Sequence, residues 1–114
     1  MAERGDVFQL IRRLGFGAGQ EGERVVIVQA DALNSVLPTL LVVPLEANVE
    51  LFAASPLAVR VSGAECGAGR VEHVAMPPWI RVIRGDHLAP GRVGRFKPRS
   101  LAELSTKLRL ILDL

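Results

Sequence analysis

Two apolar runs constrain this chain more than any other feature. Arg24-Val25-Val26-Ile27-Val28-Gln29 and Thr39-Leu40-Leu41-Val42-Val43-Pro44-Leu45 are short, almost continuous and rich in β-branched residues. The first is typical of a central strand buried on both faces, and the second reads as a further strand. Pro44 reads as the residue that closes the second run. Val7 to Ile11, Ala58 to Ser62, Arg70 to Ala75 and Trp79 to Arg84 read as further strands, and the alternation of the second and third predicts one solvated face on each. Arg12 to Glu23 carries four glycines and no helical period, so it reads as a loop, as does Gly63 to Gly69. Asp31 to Asn34 fits a single helical turn.

The C-terminal segment has the opposite pattern. Leu101, Leu104, Leu108, Ile111 and Leu112 form one stripe at helical spacing. Ser100 and Glu103 have the spacing of a capping box, and Pro98 fixes the chain just before them. Short strands with turn signals and one closing helix predict a mainly β fold, an antiparallel barrel with the helix packed on it. The length of 114 residues fits a single domain, 1–114. The longest apolar run, Val36 to Leu45, falls far short of the roughly 20 residues that cross a bilayer. No basic, then apolar, leader opens the sequence, so the cytoplasm is the default location. The one cysteine, Cys66, leaves no internal disulfide and no cysteine-rich metal site.

Charge is unevenly placed. Residues 1–50 sum to −3 and residues 51–114 to +5, for the overall +2. Between Arg81 and Arg99 there are six basic residues against the single acid Asp86. Such a stretch is either a solvated basic face or a surface for a polyanion or an acidic partner.

Few motifs for chemistry are present. Gly15-Phe16-Gly17-Ala18-Gly19 lacks the Lys-Ser/Thr of a phosphate loop and precedes a strand, not a helix. No Gly-x-Ser-x-Gly elbow occurs. His73 and His87 lie far apart with no acidic cluster at ligand spacing, so no metal and no cofactor is expected. His73, on an alternating strand, reads as a plain structural residue. Cys66 has no histidine near it. Arg24 opens the most apolar strand and Glu46 follows the next one. If those strands are neighbours, the two charges lie at one rim, as a salt bridge or as a site.

Taken in order, Arg4-Gly5-Asp6-Val7, the glycine loop, Arg24-Val25-Val26-Ile27-Val28-Gln29-Ala30-Asp31 with Asn34, Pro38-Thr39 and Val43-Pro44-Leu45 resemble the MazF/PemK toxin family. The tail Leu108 to Leu114 is also similar to that family's closing helix. The resemblance implies an SH3-like antiparallel β-barrel with a C-terminal helix, assembled as a homodimer, and a mean hydropathy of +0.29 gives a chain this small an independent motive to pair. Trp79, beside Pro77-Pro78, is a candidate anchor for that interface or for the barrel core.

The resemblance further implies the toxin of a toxin–antitoxin pair. Such toxins cleave single-stranded RNA without a metal, leave a cyclic phosphate and are bound by a cognate antitoxin. Arg24 matches the family arginine, whose guanidinium would grip phosphate oxygens. Glu46 stands where the family has a threonine, as a substitute base or as a like charge that repels phosphate. Arg12, Arg13, Gln20 and Arg81 are the expected RNA contacts. The alternatives are a non-catalytic protein on the same scaffold, binding an antitoxin, RNA or, as in the related CcdB branch, gyrase, and a small barrel adaptor.

Overall fold

The computed structural model describes residues 2–11 and 23–114, and in them the apolar runs become the middle of one antiparallel sheet. The elements in chain order are β1 (Asp6–Gln9), β2 (Arg24–Ile27), α1 (Asp31–Asn34), β3 (Thr39–Glu46), α2 (Val49–Phe52), β4 (Val59–Val61), α3 (Gly63–Cys66), β5 (His73–Ala75), β6 (Arg81–Arg84), β7 (Gly94–Arg95) and α4 (Pro98–Leu112). The strand order is β4-β5-β3-β2-β1-β7, and β6 pairs with the first half of β3. The described strands therefore form a curled half-barrel whose edges β4 and β7 are not joined to each other. The expectation of a mainly β barrel-like sheet closed by a C-terminal helix holds.

Alternation assigns each face. Val7, Val26, Val43 and Leu45 point to the side covered by α4, where they meet Val59, Val61, Cys66, Phe96, Leu104 and Leu108. Phe8, Val25, Ile27, Leu40, Val42 and Ile83 line the opposite side. β2 is buried on both faces, as its unbroken apolar run predicts, and most of β3 is too.

Pro44 does not end β3, which runs on to Glu46. Its carbonyl accepts from the Met76 amide, and a strand residue aims N and C=O to the same side. The missing donor therefore faces the gap between β6, which pairs Thr39–Val42, and β5, which pairs Leu45–Glu46. At that gap no ladder bond is lost, so the proline is tolerated inside a central strand.

Three other local expectations change. Gly63–Gly69 is not a plain loop: α3 opens it, with Ser62 and Glu65 in a reciprocal capping box. The capping box expected at Ser100 and Glu103 does not form, because α4 begins at Pro98 and Lys97 is its N-cap with no side-chain cap bond. Of the segment Arg70 to Ala75, only His73–Ala75 is strand. Trp79 stacks edge-to-face on Phe52 at 5.2 Å between ring centres, which gives it a partner within the chain.

Glu65 joins these pieces. Its carboxylate, 6% exposed, accepts from the Ser62 amide and hydroxyl and from the Lys97 amide at the start of α4. Burial raises its pKa, but the bonds from the Ser100 hydroxyl, Lys97 and Ser62 outweigh that, and the net value lies below the ordinary one. A carboxylate here also meets the positive end of the α4 dipole. Gly67 completes the joint. It caps α3 at φ +67°, and a Cβ there would collide with the Val93 backbone.

Two outcomes follow from this joint. Glu65→Gln should lower stability by about 1–3 kcal/mol in urea unfolding at neutral pH. A folded pKa below the unfolded one stabilises at neutral pH and is lost as pH falls through the folded value, so the gap between wild type and variant should close in acid. Gly67→Ala should cost about 2 kcal/mol or more, read as a lowered thermal midpoint, since strain and collision act together.

Candidate functional site

The register of the central strands positions the candidate residues. Arg24 is the first residue of β2 and lies opposite Leu45 and Gln9. Its side chain therefore rises on the α4 side of the sheet. There its Nη2 makes only a long bond, 3.5 Å, to the Gly67 carbonyl, and its Nε is buried with no hydrogen-bond partner among the described residues. A buried N–H left unmade costs about 1–3 kcal/mol, and an anion in this corner would satisfy it.

His73 shares that corner. In the β3–β5 ladder Leu45 pairs with Ala75 and Glu46 with Val74, so His73 lies one step beyond the end of β3, on the same face as Arg24. The ring is 5% exposed. Its Nδ1 lies 2.9 Å from the Val71 carbonyl. A carbonyl only accepts, so Nδ1 carries the proton and Nε2 of the neutral ring keeps a lone pair that no described residue engages. Burial first, and the Arg24 charge as a smaller cause, hold the imidazole pKa below its usual value against the opposing Val71 bond. The Cys66 thiol, also near Arg24, is fully buried and pushed up to about 12, mainly by burial and then by Glu65. It remains an uncharged core residue, as its glycine- and alanine-rich surroundings suggest.

Glu46 takes the other face. Arg24 and Glu46 do sit at the same end of the sheet, but Glu46 follows Leu45 by one residue and points to the opposite side. They form neither a salt bridge nor a joint pocket. Glu46 is 5% exposed, and burial raises its pKa, with the Glu23 carboxylate as the second cause. Arg81 lies opposite Val42, on the Glu46 side of the sheet, near its other end. Arg12, Arg13 and Gln20 fall outside the described residues.

Much of the remaining charge is spoken for. Asp6 is buried and accepts from Arg92 at 3.0 Å, from Arg95 and from the Glu3 amide. Burial raises its pKa, but those bonds prevail and leave it below the usual carboxylate range. Arg84 pairs with Asp86 at 2.9 Å. The basic stretch from Arg81 to Arg99 thus spends several of its arginines on internal ties. An open groove of about 680 Å³, with Asp6, Phe8, Leu40, Leu88 and Arg92 in its lining, lies away from Arg24 and Glu46. Among the described residues no group of three or more His, Cys, Asp and Glu is placed to hold a metal ion, and no helix is long and apolar enough to cross a membrane.

The motif residues outside the corner do structural work. Gln29 is buried and donates to Asn34 Oδ1 at 2.9 Å and to the Thr39 carbonyl at 3.1 Å, while accepting from the Leu41 amide. These bonds hold α1 against the start of β3. Asp31 accepts from the Arg4 amide, and Gly5 adopts φ +94°. The order Arg-Gly-Asp and Gln…Asn is therefore a framework signature around the site.

A family model described as "PemK-like, MazF-like toxin of type II toxin-antitoxin system" matches residues 3–112. The chain belongs to this family. Several solved structures share the fold of this PemK/MazF-like chain. One is a mycobacterial endoribonuclease in complex with its cognate antitoxin, 20% identical with a TM-score of 0.73, covering 98% of this chain and 93% of that one. Another is the Mycobacterium tuberculosis toxin MazF-mt6, 15% identical at 0.74, covering 96% and 97%. A third is MazF from Deinococcus radiodurans, 17% identical at 0.75, covering 98% and 96%. No curated protein sequence matches the chain.

The Glu46 environment can be checked directly. A carboxyl whose folded pKa is raised destabilises the fold at neutral pH and does so less as pH falls through that value. Glu46→Gln should therefore raise the denaturation midpoint at pH 7, and the advantage should shrink in acid. An unchanged midpoint would mean that the carboxylate is better solvated than its burial implies.

Proposed function

We propose that this PemK/MazF-like chain is the toxin of a type II toxin–antitoxin pair and acts as an endoribonuclease on single-stranded RNA. In this reading it works as a homodimer and is held inactive by a cognate antitoxin. The observation that carries the proposal is Arg24. It matches the family arginine in sequence, stands half-buried at the start of β2, and has a guanidinium whose Nε–H lacks a partner among the described residues. A guanidinium in that state can bind two phosphate oxygens and stabilise charge as a phosphorane forms.

The reaction is transfer of the phosphoryl group from the 5′-oxygen to the neighbouring 2′-oxygen. It needs a cation at the phosphate and a group that takes the 2′ proton. It needs no metal, which agrees with the family resemblance. Arg12, Arg13, Gln20 and Arg81 remain proposed RNA contacts. A second reading, a toxin-fold protein that binds without cutting, is favoured by Glu46. At the family's threonine position this chain has a buried carboxylate beside a second one, Glu23. Two carboxylates at one strand end repel an approaching phosphate.

The two readings part in one assay. Purified protein with single-stranded RNA in EDTA should give fragments ending in a cyclic phosphate, and Arg24→Ala should reduce the rate about 10²–10³-fold, the usual loss for one oxyanion donor. RNA binding without cleavage, equal in wild type and variant, would favour the second reading.

A further inference from the structure

We propose that His73 is the base of this site: its free Nε2, beside the Arg24 guanidinium, takes the proton of the attacking ribose 2′-hydroxyl. The inference rests on the ribonuclease reading and supplies the group that Glu46, on the far face of the sheet, cannot.

Three observations carry it. First, the register sets His73 and Arg24 at the same end and on the same face, two interstrand spacings apart and two residues offset along the strand, or about 12 Å between backbones. The Arg24 charge acts on the His73 ring across that gap. Second, the Val71 carbonyl fixes the ring and its tautomer at 2.9 Å, so the nitrogen left over is the unprotonated one. Third, both members of the pair have capacity to spare among the described residues. The Arg24 Nε–H is buried without an acceptor there, and the one hydrogen bond of the His73 ring is at Nδ1, not Nε2. A donor without acceptor and an acceptor without donor, on one face of the same sheet end, match a ligand that is anionic at one atom and a hydroxyl donor near it. A ribose 2′-hydroxyl beside a phosphodiester is such a ligand.

The step balances without a co-reactant. The 2′-hydroxyl proton passes to His73 Nε2 while the 2′-oxygen bonds to phosphorus. Arg24 holds the charge that collects on the non-bridging oxygens. The bond from phosphorus to the 5′-oxygen then breaks, and that oxygen takes a proton from water. The products are a 2′,3′-cyclic phosphate and a 5′-hydroxyl, and the imidazolium returns its proton to solvent. Arg24 and burial both favour the neutral ring at the outset, which is the form a base requires.

The test uses the full chain and two independent readouts. In RNA cleavage, His73→Gln should lower kcat about 10²–10⁴-fold, the usual range for one proton-transfer group, with KM near the wild-type value. His73→Gly should regain rate with added imidazoles, and the regained rate should rise with their basicity. Filling of a hole would not follow basicity. Circular dichroism and thermal melting of both variants separate chemistry from misfolding. The second readout does not need turnover: titration of wild type with inorganic phosphate, followed by ¹⁵N NMR, should shift the His73 ring nitrogens and the Arg24 Nε together. Three results would overturn the inference. They are a folded His73→Gln variant that cleaves at the wild-type rate, rescue that ignores basicity, or phosphate that moves Arg24 and leaves His73 unmoved. In the first of these the ribonuclease reading survives; absence of cleavage by wild type would remove both.

Discussion

The register of β3 against β2 and β5 decides where every candidate side chain in this protein goes. Neighbouring residues on a strand point to opposite faces, so one step separates Leu45, on the α4 side with Arg24, from Glu46, on the far side. A slip by a single residue would exchange the two faces and bury the wrong set of side chains. The two apolar faces prevent that slip. Val26, Val43 and Leu45 belong to one cluster and Val25, Ile27 and Val42 to the other, and exchanging the two sets would break the close packing of each. The chemistry at the sheet end is a by-product of that packing.

Around this sheet the polar residues act mainly as fasteners. Glu65 ties α3 to the start of α4, Asp6 ties β1 to the arginines near β7, and Gln29 ties α1 to β3. Each is buried and each has several partners, the condition under which a buried polar group is tolerated. In the corner of Arg24 and His73 the Arg24 Nε–H is buried without a partner among the described residues, as is the Arg4 Nε–H elsewhere.

Much of the architecture was legible because it is written in periodicity. The buried strands and the C-terminal helix follow from the spacing of apolar residues. The misreadings arose where two local signals competed. Ser100 and Glu103 had capping-box spacing, but Glu65, distant in sequence, took the Lys97 amide and the Ser100 hydroxyl, and the helix started earlier. The real box, Ser62 with Glu65, lay hidden in a stretch whose glycines suggested a loop. Pro44 reads as a strand end in the sequence because the gap between β5 and β6 cannot be seen from one strand alone.

The sequence by itself determined the fold class and the family, because strand patterning and an ordered series of short motifs are properties of the chain as written. It placed Arg24 and Glu46 at one rim and passed over His73, whose alternating neighbours give no sign of chemistry. Only the tertiary structure separated the first two by the thickness of the sheet and set His73 in the corner with Arg24. That decision belongs to antiparallel pairing across three strands. Pairing brings residues 24, 45 and 75 into one row, and no local pattern along the chain encodes which face of that row each side chain will share.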